Sequence, residues 1–223
     1  MFLKGMLRSG PPRKTLSPPW EAQKVFELLS RAPYKPLDQA DIKALSFKTA
    51  FLLAITTALE VSDLCALSIQ DVCLIMGEGK SQVTLRPNPA FVGMSGSLAA
   101  ISPVVLHSFP QPKEEGGERL GLVCPVRALD LYLKRTGSFR GTTKQLLVCC
   151  QGADKDQALT PEGLVRWIRE VTAPAVDLGR GNRSWAHATR GLATSLTALW
   201  GVSLVESARL PGDLQLQSSA GTT

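Results

Sequence analysis

The segment SFKTAFLLAITTAL, Ser46 to Leu59, constrains the fold more than any other part of the chain. Its pattern is helical, but its apolar residues run round nearly all sides instead of forming one stripe. A helix of that kind cannot lie on a surface and has to be enclosed by other elements. Its longest apolar run, AFLLAITTAL from Ala50, is broken by threonines and falls short of the roughly 20 residues needed to cross a bilayer. The chain must therefore build a core around this helix. With 223 residues, 44% of them hydrophobic, it has enough material for one domain with loose ends or two small ones.

The flanking pattern supplies the covering elements. From Trp20, after Pro18-Pro19, a stripe of Val25, Phe26, Leu28 and Leu29 predicts a helix. A short helix is expected after the central one, with Ser62 as its N-cap and Asp63 in its first turn. The period then changes. DVCLIM and SQVTLRP flank GEGK, a strand-turn-strand signal, and SPVVLHSF predicts a third strand. QPKEEGGERLG reads as a polar loop. CPVRALDLYLKRTG reads as a helix with Pro125 in its first turn and Gly137 at its end. QLLVCC is a short apolar strand or buried extended segment. Thr160-Pro161 opens a helix with Leu164, Ile168 and Val171 on one side. DLGRGNRS is a loop, AHATRGLATSLTALWG a helix closed by Gly201, and Ser203 to Glu206 a capping box for one more. The fold class is α+β, mainly helical, with a small antiparallel sheet inserted among the helices.

Cys65, Cys73, Cys124, Cys149 and Cys150 make an odd count without C-x-x-C spacing, and the chain has only two histidines. Zinc is not expected, nor any other metal or cofactor. The five read as small hydrophobes of a protein in a reducing compartment. The amino terminus lacks the pattern of a secretory signal. A net charge of +6 favours polyanionic partners, and the charge is clustered. Residues 1–24 hold Lys4, Arg8, Arg13, Lys14 and Lys24 against Glu21. Residues 160–190 hold Arg166, Arg169, Arg180, Arg183 and Arg190 against Glu162, Glu170 and Asp177. The bland reading of such charges is a solvated face.

His187 and Arg190 stand at i and i+3 of a helix, on one face near its N-terminus. Free backbone N–H groups and the helix dipole already favour an anion there. The histidine adds a proton donor or acceptor near neutral pH, and the guanidinium adds a two-pronged clamp for phosphate oxygens. This is sensible chemistry for a phosphate site, although a lone H-x-x-R also arises by chance.

Three stretches together widen the context. LSFKTAFLLAITTALEVSDLCALSIQDV resembles the helix-turn-helix that holds the first catalytic arginine of the tyrosine recombinases. TLRPNPAFVGM, followed by LVCPVRALDLYLKRTGSFR, resembles the sheet and following helix of the integrases of DIRS-type retrotransposons. HATRGLATSLTALWGVSL resembles the family's His-x-x-Arg helix. The likeness covers about residues 20 to 206 in a consistent order. It implies a recombinase catalytic-domain fold and, by ancestry, DNA integration and recombination. In such enzymes a tyrosine attacks the scissile phosphate, arginines and a histidine stabilise the transition state, and a hairpin lysine protonates the leaving oxygen.

Carried over by position, His187 and Arg190 match H-x-x-R. Lys80 in the GEGK turn is a candidate hairpin lysine, beside the alternative, favoured by the residues, of an ordinary exposed turn lysine. Glu60 stands where the resemblance places the first arginine, and no arginine lies between Arg31 and Arg86. Loss of one such stabilising group costs ~10²–10³ in rate, and a carboxylate also repels the substrate. The nucleophilic tyrosine should follow His187, yet both tyrosines, Tyr34 and Tyr132, precede it, and Tyr132 sits in an apolar helix stripe.

The resulting expectation is a basic Pro-rich linker over 1–19, a recombinase-like domain over 20–210 truncated at its C-terminus, and a disordered tail over 211–223. The domain binds double-stranded DNA weakly and salt-sensitively through Arg166, Arg169, Arg183 and Arg190, without cleavage, in the cell interior and nucleus. The alternative is a protein–protein module that self-associates through the groove left by a missing C-terminal helix.

Overall fold

The computed structural model describes residues 22–88, 90, 103–109 and 121–175. Helix α1 spans Ala22–Leu29, α2 Ile42–Thr57 and α3 Val61–Cys65. Strand β1 covers Leu74–Met76, β2 Gln82–Leu85 and β3 Val104–His107. Helix α4 spans Pro125–Thr136 and α5 Pro161–Thr172. The described part is thus α+β, with the sheet inserted after the third helix. The regions assigned from the sequence to the His187 helix, the Ser203 helix, the linker and the tail lie outside the described residues.

Helix α2 is the centre, as its all-round apolar pattern requires. Every residue from Ala44 to Ile55 is buried, and both α4 and α5 pack against it. Its hydroxyls are reconciled with burial by bonding backward along the helix. Ser46 donates to the Ile42 carbonyl, Thr56 to Leu52 and Thr57 to Leu53. The helix starts earlier than Ser46, because the Asp41 carboxylate accepts from the Ala44 N–H at 2.6 Å and caps it. Such a cap contributes about 1 kcal/mol. It ends at Thr57, ahead of Leu59, because Ala58 turns into the left-handed region at φ 54°. Helix α3 also departs from expectation. Its N-cap is Glu60 and not Ser62, and the Glu60 side chain makes no capping bond.

A lysine side chain lies inside this core. Lys48 is fully buried, and its Nζ donates to the carbonyl of Leu29, the last residue of α1, at 2.6 Å. It satisfies an acceptor that a helix end leaves open. Burial, and secondarily the charge of Lys35, bring this ammonium from the ordinary 10.5 down to about 7.

The sheet has the order β1-β2-β3 and is antiparallel, with Leu74 opposite Leu85 and Val83 opposite Leu106. Val83 and Leu85 alternate inward, as the pleat demands. The β1–β2 turn needs two residues at positive φ, Gly79 at 60° and Lys80 at 58°. QLLVCC is the buried extended segment rather than a full strand. Ser68 bridges Gln145 on one side and Val148 bridges Ala158 on the other. Arg140 fastens the approach to it. Its guanidinium is buried and donates to the Thr136 hydroxyl at 2.6 Å and to the carbonyls of Gln145 and Leu146 at 2.8 and 3.2 Å.

Candidate nucleic-acid interface

Helix α5 carries two of the proposed DNA-contacting arginines. Thr160 caps it by accepting from the Gly163 N–H at 3.1 Å, and Pro161 fits the first turn. Leu164, Trp167, Ile168 and Val171 are buried, which turns Arg166 and Arg169 to solvent. Glu162 and Glu170 are exposed on the same helix, so its outer surface is mixed in charge. Arg166 makes no ion pair among the described residues. Helix α3 packs against α5, and Glu60 is exposed at the start of α3. The two arginines and the glutamate thus belong to adjoining helices.

Lys80 belongs to a different neighbourhood. It projects from the hairpin turn onto α4, where its Nζ meets Asp130 Oδ2 at 2.7 Å, and Lys134 reaches the same oxygen at 2.9 Å. Burial works to raise the Asp130 carboxyl, but hydrogen bonds and charge from the two lysines outweigh it and hold the group below the usual carboxylate range. Lys80 is therefore a half-exposed lysine tied to a carboxylate, neither an idle turn residue nor a free proton donor. Its ammonium is not joined by any hydrogen bond or ion pair to Glu60, Arg166 or Arg169.

Both tyrosines of the chain are described, and both are buried, Tyr132 completely and Tyr34 to within 8%. Tyr132 is fully buried. Its hydroxyl accepts from the Val148 N–H at 2.9 Å, and burial, only partly opposed by the Val148 bond and Arg140, pushes the phenol up to about 12. Tyr34 is buried as well, and its phenol is raised by burial and then by Glu170 and Asp41. A nucleophile must reach a phosphorus atom from outside, which the Tyr132 hydroxyl, bonded inside the core, cannot do. His187, Arg190 and Arg183 lie outside the described residues.

The cysteines are free thiols. Cys73, Cys124 and Cys150 are buried, and Cys65 and Cys149 are half-buried. Among the described residues no cluster of His, Cys, Asp or Glu has the makings of a metal site. Nor is any described helix long and apolar enough to cross a membrane.

Sequence reasoning passed over three groups that shape this surface. Asp130 and Lys134 stand at i and i+4, a spacing that does mark a helical ion pair. Lys35 follows a proline-bounded turn with no pattern to single it out. Searches against protein-family models, characterised proteins and solved structures returned no match.

Proposed function

We propose that the chain is a DNA-binding domain of tyrosine recombinase ancestry that holds phosphate and does not cut. The observation that carries the non-cutting half is the burial of both tyrosines, one of them bonded into the core through the Val148 amide. The DNA-binding half rests on the sequence resemblance and on the net positive charge. Two features of the fold support it. An exposed Glu60 opens the helix after the buried one, and Lys80 tops the first hairpin, in the order the resemblance calls for. On this reading Arg190 and His187 grip a phosphate, Arg166 and Arg169 add sequence-independent contacts, and Glu60 weakens the grip by repulsion.

The test is fluorescence anisotropy of a labelled duplex across a salt series. Binding should weaken steeply with salt, weaken further in Arg190→Ala and strengthen in Glu60→Arg. Affinity indifferent to both substitutions would overturn the reading, and a covalent protein–DNA adduct would overturn the absence of cleavage.

Self-association is a second reading favoured by one observation. Among the described strands β1 pairs only with β2, and beside that edge Val72 and Ile75 are 72% and 49% exposed. Light scattering of Val72→Lys/Ile75→Lys against the parent chain decides it. Oligomers lost in the double variant support an edge contact, and a monomeric parent removes the reading.

A further inference from the structure

A cleft of about 700 Å³ opens between the α1–α2 connection and α4. It is shallow and broadly open to solvent. Its walls are largely apolar, with Leu37 from the connection, Leu122 from the segment before α4, and Leu131 from α4 itself. Its polar groups are few, chiefly Lys35, Arg31 and Asp38.

Lys35 is half-buried and has neither a hydrogen bond nor an ion pair among the described residues. Besides burial, Arg127 opposes its charge, and Asp38 and Cys124 favour it more weakly. Arg127 stands close by, with its guanidinium donating to the carbonyls of Gly121 and Phe109, and Lys48 lies behind, bonded to Leu29. Asp38 is exposed and near, but its pull is weaker than the push of Arg127, and burial outweighs both, so the Lys35 ammonium is held below its ordinary value. Arg31 at the rim is only loosely engaged, 3.5 Å from Glu27 with both side chains mainly exposed. Among the described residues this ammonium, beside a second cation and on an apolar wall, has no counter-ion.

We infer that this cleft binds a small amphipathic anion, its carboxylate or phosphate head on Lys35 and its apolar body along Leu37, Leu122 and Leu131. The head supplies a charge that no described residue places on Lys35, and the body covers the leucines that water now wets. A neutral molecule of the same shape would gain only the second term. Neither Arg166 nor Arg169 lines the cleft, and the inference does not depend on the DNA assignment.

Isothermal titration of the full chain with octanoate, octyl phosphate and 1-octanol tests it. Either anion should bind saturably and at least about tenfold more tightly than the alcohol, as expected for one charge-assisted contact. The stronger of the two identifies the head group. Lys35→Met should abolish the preference for the anion, and Lys35→Arg should retain it. Exposed Lys24→Met should leave all three affinities unchanged. Equal affinity for alcohol and anion, a preference that survives in Lys35→Met, or no saturable binding at millimolar ligand would each overturn the inference. Circular dichroism of the Lys35 variants separates a lost site from a lost fold.

Discussion

Replacing Lys48 by methionine should change the pH dependence of stability in a direction that the buried amine dictates. In the unfolded chain this lysine titrates near 10.5, whereas in the fold it titrates near 7. Below pH 7 the ammonium is charged in both states and its full burial penalty applies. Between 7 and 10.5 the folded protein has released the proton and the unfolded chain has not, so stability climbs with pH. Above 10.5 the penalty is gone. At about 1.36 kcal/mol per unit, the displacement amounts to about 5 kcal/mol. Methionine removes that penalty but leaves the Leu29 carbonyl without its donor, at a cost of about 1–3 kcal/mol. The variant should therefore be more stable than the parent by about 2–4 kcal/mol at pH 6, and near pH 10, where about 0.8 kcal/mol of the penalty remains, less stable by up to about 2 kcal/mol. Urea unfolding followed by circular dichroism at intervals from pH 6 to 10 measures the difference. Two curves that stay parallel within about 0.5 kcal/mol would refute the argument, because they would mean the amine titrates alike in both states.

Arg140→Lys should destabilise the fold by about 2–3 kcal/mol in urea, since lysine cannot reach the Thr136, Gln145 and Leu146 oxygens together; a loss under about 0.5 kcal/mol would count against the buried fork. Cys65 is half-exposed, yet burial and then Glu162 push its thiol up to about 12. Iodoacetamide at pH 8, read by peptide mass spectrometry, should modify it roughly a thousandfold more slowly than a free thiol, and rapid labelling would contradict that environment. Ala58→Gly should stabilise the fold by up to about 1 kcal/mol in thermal or urea unfolding, because glycine occupies φ 54° without a Cβ penalty; destabilisation would show that the alanine methyl matters more than the backbone.

Much of the fold was legible because its signals are local. Thr160-Pro161 and Pro125 mark helix starts through their own backbone chemistry, and GEGK between apolar runs marks a turn. The ends of α2 were harder. Asp41 precedes Ile42 and Lys43, the second of which interrupts the apolar pattern of the first turn, and a left-handed Ala58 is a stop that glycine would have announced. The site was less legible still. The position of Lys80 on a turn follows from sequence, but its partner Asp130 is 50 residues away, and only packing brings them together. Lys48 was hidden for a related reason. A lysine in a helix is normally assigned to the wet side, and α2 has no wet side.

The enclosure of α2 also imposes an order on synthesis. Its covers, α4 and α5, lie far downstream, and Thr49 reaches a carbonyl of Ala128, 79 residues later. While the chain is being made, this most apolar helix emerges with only α1 beside it, long before the two helices that enclose most of it. Protection of α2 from protease in stalled nascent chains should appear only once α5 has left the ribosome, and a chaperone that holds apolar helices should engage the chain during that interval. The helix that organises the finished core is thus, for much of translation, its most exposed liability.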